Sequence, residues 1–161
     1  MEQAEIIEAL SKKFPDDVLG EGSHAGQHWA VVKREKIPDI CRFLKEDPTL
    51  KMDYLIDVTA VDWQPRTPRF EVVYIMHSMK HGHRIRLKVP LEEDDPSVPS
   101  VCKVWRTANW LERETYDLMG ISFEGHPDLR RILLPDDWEG HPLRKDYPLE
   151  GPPGWKLDPL P

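Results

Sequence analysis

The sequence predicts an α+β domain of two layers, in which helices pack on a mixed, largely antiparallel sheet, followed by an extended, proline-rich C-terminal arm. Two observations predict the domain: several segments alternate with the two-residue period of strands, and others carry apolar residues every three or four positions, as amphipathic helices do. The third observation concerns the arm, because eight of the sixteen prolines follow residue 126. We therefore expect a globular domain over residues 1–120 and an arm over residues 121–161.

Three helices are predicted from apolar stripes. The first covers Gln3–Phe14, and the second lies between Pro38, which is tolerated in a first helical turn, and Pro48, which ends the helix. The third and longest covers Ser100–Met119, where apolar residues recur in steps of three and four. Gly120 follows it in the position of a left-handed helix cap. These helices supply one layer of the domain.

Five strands are predicted from alternating apolar and polar residues. The last two are joined by a short turn and indicate an antiparallel hairpin, and the acidic, proline-rich residues 91–99 indicate a loop. In chain order, the strands are expected at Val18–Leu19, His28–Lys33, Tyr54–Asp62, Arg69–His77 and His83–Leu91. The resulting order, α-β-β-α-β-β-β-α, is typical of a two-layer α+β domain.

The composition argues against a membrane span and against nucleic acid as a partner. The formal net charge is −7, whereas phosphate backbones and anionic lipid select basic surfaces. No apolar run approaches the roughly 20 residues that cross a bilayer. Glu2 and Glu5 stand where a secretory signal would carry basic residues. We therefore expect the chain to be made and kept in the cytosol.

Two cysteines limit the cofactors that the chain can hold. Cys41 and Cys102 lie far apart and outside any Cys-x-x-Cys motif, so free thiols are expected. An iron–sulfur cluster generally takes four cysteines, or two cysteines and two histidines in the Rieske pattern. Neither of these spacings occurs, and the dinucleotide and P-loop fingerprints are missing from the sequence. We expect no cofactor in this chain.

Three histidines have the spacing of a candidate metal site. His77 ends one predicted strand, and His81 and His83 lie in the hairpin turn or just after it. A tri-histidine site requires three imidazoles to converge within about 2.1 Å of one ion. A free-standing, metal-dependent enzyme that uses these histidines is therefore an alternative from another functional class.

A basic stripe follows the predicted hairpin and consists of Lys80, Arg84, Arg86 and Lys88. The last three alternate along one strand and share a face. Aromatic residues that would stack on bases are not interleaved with them, which argues against single-stranded nucleic acid. The stripe is interpreted as a solvated sheet face or as a contact for an acidic subunit.

Charged residues crowd the end of the third helix. Arg113 and Asp117 are four residues apart and can pair along the surface, while Glu114 and Asp117 share a face as two acids. The simplest interpretation is a solvated face, with pairs that each contribute at most roughly a few tenths of a kcal/mol. A carboxylate pair for acid–base chemistry, for example with Glu112, would require burial in a cleft.

The arm repeats the phrase Gly-His-Pro, at Gly125–Pro127 and Gly140–Pro142, and a basic pair follows each copy. Glycine permits a turn, proline fixes the next φ and histidine bonds nearby backbone, so two equivalent turns are predicted. Aromatic and aliphatic residues are spaced through the arm as in a segment that docks on another protein. We expect the arm to be disordered without that partner.

These stretches closely resemble the signature of the 30 kDa subunit family of respiratory complex I, the proton-pumping NADH:quinone oxidoreductase. The residues that carry the resemblance are Glu112–Ile121, Gly125–Leu133, Asp136–Trp138 and Gly140–Pro148, with a weaker phrase at Asp57–Trp63. The resemblance covers residues 28–148. The long motif of the arm makes it highly specific.

The resemblance implies a subunit that binds no flavin, cluster or quinone itself. Such a subunit lies beside the quinone-site subunit and an adjacent iron–sulfur subunit, and its arm runs over the quinone-site subunit. FMN and the iron–sulfur clusters then belong to partner subunits. Carried over by motif, the residues expected at the partner interface are Glu112, Arg113, Glu114, Asp117, His126, Arg130, Arg131, Trp138, His141, Arg144, Lys145, Asp146 and Tyr147.

The implied function is non-catalytic support of electron transfer from NADH to quinone. The resemblance places the chain on the cytoplasmic face of the cell membrane, as a peripheral protein attached through the complex. Within the resemblance, the alternative is the equivalent subunit of a membrane-bound hydrogenase or of another quinone- or ferredoxin-linked oxidoreductase.

Overall fold

The computed structural model describes residues 3–151, which form three α-helices and seven strands. Helices α1 to α3 cover Gln3–Lys13, Ile37–Glu46 and Ala108–Met119. Strands β1 to β7 cover Val18–His24, Gln27–Val32, Tyr54–Asp62, Phe70–His77, Arg84–Leu91, Ser97–Pro99 and Ser122–Glu124. The end of the predicted arm, from residue 152 onward, lies outside the described residues.

Five strands form one sheet in the order β1-β2-β5-β4-β3. β2 and β5 are parallel, and the other neighbours are antiparallel. β6 and β7 pair in parallel as a small second sheet. The predicted α+β class is confirmed, as are the mixed, largely antiparallel sheet and the β4–β5 hairpin.

The helices pack on one face of the large sheet. Alternation along β5 places Ile85, Leu87 and Val89 in the core, while the basic residues between them lie on the opposite face. α1 and α2 add their apolar stripes to the same core. The rings of Phe14 and Phe43 meet edge to face at 5.7 Å between centroids and join these two helices. The two-layer prediction is confirmed.

α3 is shorter at its N-terminal end than the prediction of a helix from residue 100. Val101 and Val104 are buried as the stripe predicts, but residues 101–107 form turns. The carboxylate of Glu112 accepts the backbone N–H of Val101 at 2.7 Å, and the indole N–H of Trp105 donates to a backbone carbonyl at 3.2 Å. These contacts hold the segment as a turn that fills the core. The predicted helix was too long because apolar spacing alone does not distinguish such a turn from a helix.

Strands also occur where turns or irregular structure were predicted. β1 runs through a glycine-rich segment, and Gly22 lies against the indole of Trp29, where a Cβ would come within 2.5 Å of the ring. β6 and β7 lie in the predicted loop and arm, paired through Val98 and Phe123. β6 and β7 are distant from each other in sequence, so local alternation does not predict them. β1 pairs with the next strand, β2, but its glycines hide the alternation that would predict it.

The two thiols agree with the prediction that they are free. Cys41 is buried, Cys102 is half-buried, and both are free. Within residues 3–151, no helix has the length and apolar character needed to cross a bilayer.

Candidate functional site: the anchored C-terminal arm

The charged end of α3 is covered by the arm of the same chain. Glu112, Arg113 and Asp117 are buried, whereas Glu114 is exposed. The interpretation of this end as a solvated face is therefore wrong for three of the four residues. The predicted surface pair of Arg113 with Asp117 is also wrong, because each side chain bonds the arm instead.

Asp117 is the central anchor of the arm. One carboxylate oxygen accepts Nη1 of Arg131 at 2.7 Å, and the other accepts the backbone N–H groups of Ile132, Leu133 and Leu134 at 3.0, 2.8 and 2.9 Å. Burial by itself would raise the pKa of Asp117, but these donors outweigh it and hold the pKa below its ordinary value. The ionised carboxylate therefore fixes three successive arm residues on α3.

Arg113 holds the segment just before the three amides that Asp117 binds, which we call the amide nest. Its Nε and Nη2 donate to the carbonyls of Arg130 and Arg131 at 3.1 and 3.0 Å. Its guanidinium lies 5.3 Å from the ring centre of Trp110 on the same helix. Arg113 and Asp117 thus bind the carbonyls and the amides, respectively, of one continuous stretch of arm backbone.

The two Gly-His-Pro turns attach to opposite ends of α3. Both glycines have positive φ, +75° at Gly125 and +82° at Gly140. His126 Nε2 bonds the carbonyl of Asn109 at 3.1 Å, and His141 Nδ1 bonds the carbonyl of Asp117 at 2.9 Å. Burial lowers the pKa of His141, which favours the neutral ring. The prediction that both histidines bond backbone is confirmed, but the two turns are not equivalent, because His126 and His141 use different ring nitrogens on opposite ends of α3.

The C-terminal cap of α3 is locked by Arg144. This side chain donates to the carbonyls of Met119 and Gly120 at 2.7 and 3.2 Å, and its guanidinium lies 5.0 Å from the ring centre of Phe70. Gly120 has φ +70°, and a Cβ there would come within 2.5 Å of both Arg144 and His141. The cap therefore requires glycine for its backbone conformation and for the space that the arm occupies.

An ion cluster around the buried pair of Arg69 and Asp62 attaches residues 145 and 146 of the arm to the sheet. Arg69 pairs with Asp62 at 2.8 Å and with Asp146 at 2.9 Å, and it also contacts Glu93. The backbone N–H of Lys145 donates to Asp62 at 2.9 Å. The Arg69 guanidinium holds the pKa of Asp62 well below its usual range and lowers that of Asp146.

Asp62 and Arg69 are the functional residues that sequence reasoning missed. They face each other at the ends of β3 and β4, which the register pairs at Asp62 and Phe70. Arg69 is almost fully buried although it belongs to a residue type that is rarely inside. Asp62 lies in the weaker phrase at residues 57–63. Its position at the end of a predicted strand is the feature of the sequence that could have indicated its role.

The remaining arm residues also make contacts within the chain. Tyr147 donates from its hydroxyl to the carbonyl of Glu139 at 2.9 Å, and its ring lies against Gly140. Arg130 is exposed in a pair with Asp128, and Trp138 is half-buried. The arm from residue 121 to 151 thus packs on its own domain, which differs from the expectation of an arm that a partner must order. Contact of the exposed residues with a partner stays a prediction.

Glu112 fixes the turn that precedes α3. Its carboxylate accepts the hydroxyl of Ser100 at 2.6 Å, the backbone N–H of Val101 at 2.7 Å and the thiol of Cys102 at 3.3 Å. Burial raises the pKa of Glu112, and burial is also the main reason that the pKa of Cys102 is raised to about 12. The thiol is therefore a hydrogen-bond donor at neutral pH and not a reactive thiolate.

Two histidine-containing groups are candidate metal sites, and the first lies beside α3. Cys102, Glu112 and His126 place ligand atoms within 4.8 Å of one another. The trio does not fit a metal, because His126 Nδ1 accepts the N–H of Asp128 at 3.0 Å, which leaves the proton on the Nε2 that would have to bind the ion. The atoms form a hydrogen-bonded cluster instead.

The three histidines of the hairpin do not converge. Across residues 3–151, His77, His81 and His83 do not bring their ring nitrogens within 4.8 Å of one another as a group. His81 and His83 stack with 5.4 Å between ring centroids, and their Nε2 atoms bond the carbonyls of Pro48 and Leu50. This geometry removes the basis for the alternative of a metal-dependent enzyme at this turn.

Comparison with known proteins identifies the family. Residues 30–153 match the family described as respiratory-chain NADH dehydrogenase, 30 kDa subunit. The chain belongs to this family. Within the 30 kDa subunit family, the NADH-quinone oxidoreductase subunit of Geotalea uraniireducens is 52% identical over 143 residues, which cover 89% of this chain and 86% of that relative. The resemblance seen in the sequence is confirmed.

Solved structures share the fold. A trypsin-resistant fragment of Nqo5 superposes with a TM-score of 0.67 at 33% identity and covers 80% of this chain and 100% of the fragment. A chain of the membrane-bound sulfane sulfur reductase, an archaeal respiratory membrane complex, gives a TM-score of 0.74 at 27% identity and covers 92% of this chain and 87% of that chain. The fold is thus shared with Nqo5 and with a chain of an archaeal respiratory membrane complex.

Proposed function

We propose that the chain is a non-catalytic scaffold subunit in the peripheral arm of proton-translocating NADH:quinone oxidoreductase, where it holds the quinone-site subunit in place. Family membership supports assignment to this complex. The observation that carries the scaffold role is the nest at Asp117, in which one buried carboxylate fixes three successive arm amides. Such a nest gives the arm a defined shape before any partner is bound, which lowers the entropic cost of binding.

The buried charges of the site support a structural role. Asp117, Arg113 and Arg144 use their hydrogen bonds on backbone groups of the arm and of the helix end. A group that reacts with a substrate must be free to approach it within hydrogen-bond distance. These side chains are covered and bonded within the chain, so they position the arm and leave the chemistry to other subunits.

The outer side of the arm supplies the contact surface for the partner. The backbone N–H of Leu133 donates to Asp117, yet Leu133 is 59% exposed. Leu143 is 58% exposed. Leu149 is fully exposed and borders a shallow hollow shared with Trp138 and Tyr147. Apolar side chains held outward on a fixed backbone are suited to the core of a protein interface.

The proposed partners are the quinone-site subunit and an adjacent iron–sulfur subunit. FMN and the iron–sulfur clusters are assigned to partner subunits, as is the quinone. The chain lies on the cytoplasmic face of the cell membrane and is attached to the membrane through the complex. Its contribution to electron transfer is geometric, because a displacement of about 1 Å at a reacting site can lower a rate on the order of a hundredfold.

Affinity purification of the tagged chain from native membranes in mild detergent tests this proposal. The quinone-site, iron–sulfur and flavin subunits should co-purify with NADH:quinone activity. Leu133→Asp combined with Leu143→Asp should strongly reduce their recovery, whereas Leu19→Asp, at a leucine that is 55% exposed on β1, should not. Equal recovery from all three chains would contradict the assignment of the arm as the contact surface.

A second candidate is the equivalent subunit of a related respiratory membrane complex. The observation that favours it is the similarity to a chain of the sulfane sulfur reductase, which extends over 92% of this chain. The same purification separates the two candidates, because the second one predicts recovery of a hydrogenase-type or sulfur-reducing large subunit without the NADH-oxidising subunits.

A further inference from the structure

The face of the large sheet opposite the helices carries its own pattern of side chains. Antiparallel and parallel pairing aligns Trp29, Arg86, Ile75 and Asp57 in one row across four strands. A second row contains Val31, Lys88, Val73 and Thr59. Residues aligned in this way project from the same side of a sheet. In residues 3–151, the contacts of the arm are made with α3, with β6 and with the ends of β3 and β4, so the arm leaves this face open.

The open face has one unbalanced positive charge. Three basic residues stand against two acids there, namely Arg84, Arg86 and Lys88 against Asp57 and Glu71. Lys88 pairs with Glu71 at 3.1 Å, which neutralises one basic residue of the stripe. Arg84 is exposed, and Arg86 bonds Gln27, but within the described residues neither arginine has a carboxylate within 4.0 Å. Two adjacent guanidiniums with unused donors are a binding site for carboxylates.

The floor of the same face is apolar and partly covered. Val31 and Ile75 are half-buried, and Val73 is buried between its neighbours on β3 and β5. The ring of Trp29 lies 4.7 Å from Nζ of Lys88 and across Gly22, which spreads the indole flat over the sheet. An apolar floor next to arginines suits a protein segment with both apolar and acidic side chains, since aromatic residues and arginine are enriched in interface centres.

We propose that this open sheet face binds an acidic segment of a partner protein, through carboxylates that pair with Arg84 and Arg86 above the floor of Trp29 and Ile75. The charge of the face is opposite to the net charge of −7 of the whole chain, so the face selects an acidic segment that the rest of the surface repels. The face is separate from the outer side of the arm. The proposal therefore applies to whichever of the two complexes contains the chain. Its failure would leave the proposed function unchanged.

Photo-cross-linking in native membranes tests the proposal. A benzophenone amino acid replaces Thr59, which is exposed on this face. The expected adduct maps by mass spectrometry to a segment rich in Asp and Glu of another subunit. Arg84→Glu combined with Arg86→Glu should lower its yield by about tenfold or more, because like charges across an interface cost several kcal/mol. Replacing the acids of the mapped segment by lysine should restore the adduct.

The matched control is Lys103→Glu combined with Arg106→Glu, which makes the same charge change at two exposed residues before α3 and should leave the yield unchanged. Thermal unfolding of each variant chain checks its fold. If the double glutamate variant unfolds, Arg84→Gln with Arg86→Gln replaces it, with the same expected loss. An adduct with lipid, with a second copy of the chain, with its own residues 152–161 or with a basic segment would overturn the proposal. An adduct whose yield is unchanged by the charge reversal would also overturn it, and so would the absence of any adduct.

Discussion

The carboxylate of Asp117 and the guanidinium of Arg131 meet at 2.7 Å, fourteen residues apart in sequence, where the arm crosses the end of α3. The same carboxylate binds the three amides that follow Arg131. This pair joins the domain to the arm, because it fixes the arm backbone at the point where leucine side chains begin to project outward.

Replacing Asp117 by Asn should destabilise the chain by about 2–4 kcal/mol, since it removes the buried charge that pairs with Arg131 and leaves the three amides a neutral, weaker acceptor. Urea unfolding at neutral pH measures the loss. Glu114→Gln, three residues earlier on the exposed side of α3, is the control and should change the free energy of unfolding by less than about 0.5 kcal/mol. A similar effect of the two substitutions would argue against Asp117 as the anchor.

Acid should release the arm from the sheet. The pKa values of Asp62 and Asp146 are lowered in the folded chain, chiefly by Arg69, so both carboxylates stabilise the fold above their unfolded value of about 3.9 and lose this contribution as the pH falls below it. The free energy of unfolding should therefore decrease from about pH 4 downward. Asp62→Asn should make that decrease shallower, and an unchanged pH profile in this variant would be the contrary result.

Glu112 should have the opposite pH dependence. Burial raises its pKa in the folded chain, so its contribution to stability is fully present below the unfolded value of about 4.3 and is lost as the pH rises through the folded value. Glu112→Gln should remove this slope and keep the fold, because an amide can still bond Ser100 and Val101. Glu112→Ala, in contrast, should cost about 1–3 kcal/mol by leaving buried donors unpaired. Urea unfolding at several pH values compares the variants, and a retained slope in the Gln variant would contradict this account.

Gly120→Ala should destabilise the chain more than Gly82→Ala. Both glycines have φ near +70°, so each substitution costs about 1–2 kcal/mol of backbone strain. Only at Gly120 would the new methyl group meet Arg144 and His141, whereas nothing lies within 4 Å of a Cβ at Gly82. Thermal unfolding of the two variants measures the difference, which is the cost of displacing the arm. Equal losses would mean that the arm does not press on the helix cap.

The fold class was predictable because the strands show their alternation locally. β3, β4 and β5 lie within a residue of the predicted bounds, and the buried residues of β5 are the ones that alternation selects. The start of α3 was not predictable, since Val101 and Val104 satisfy helical spacing while Glu112 holds their segment in a turn. The deciding contact is eleven residues away and is invisible to a local pattern.

The site was predictable in its residues and not in their partners. Arg131, His141 and Arg144 were selected by their motif, but the sequence does not show that they bond the end of α3. A buried aspartate is identical in sequence to a solvated one, and the burial of Asp117 depends on amides fifteen to seventeen residues later. Arg69 was missed for the same reason, because its partners come from β3 and from the arm.

Hydrogen exchange of the isolated chain tests the central claim, that the arm is ordered on its own domain by Asp117. The amides of Ile132, Leu133 and Leu134 should exchange slowly, as amides do when their bonds open only with a large part of the fold. In Asp117→Asn these three should become fast while the amides of β4 stay protected. Exchange at unfolded-chain rates in the unsubstituted chain would contradict the claim and would mean that the arm takes its shape only on a partner.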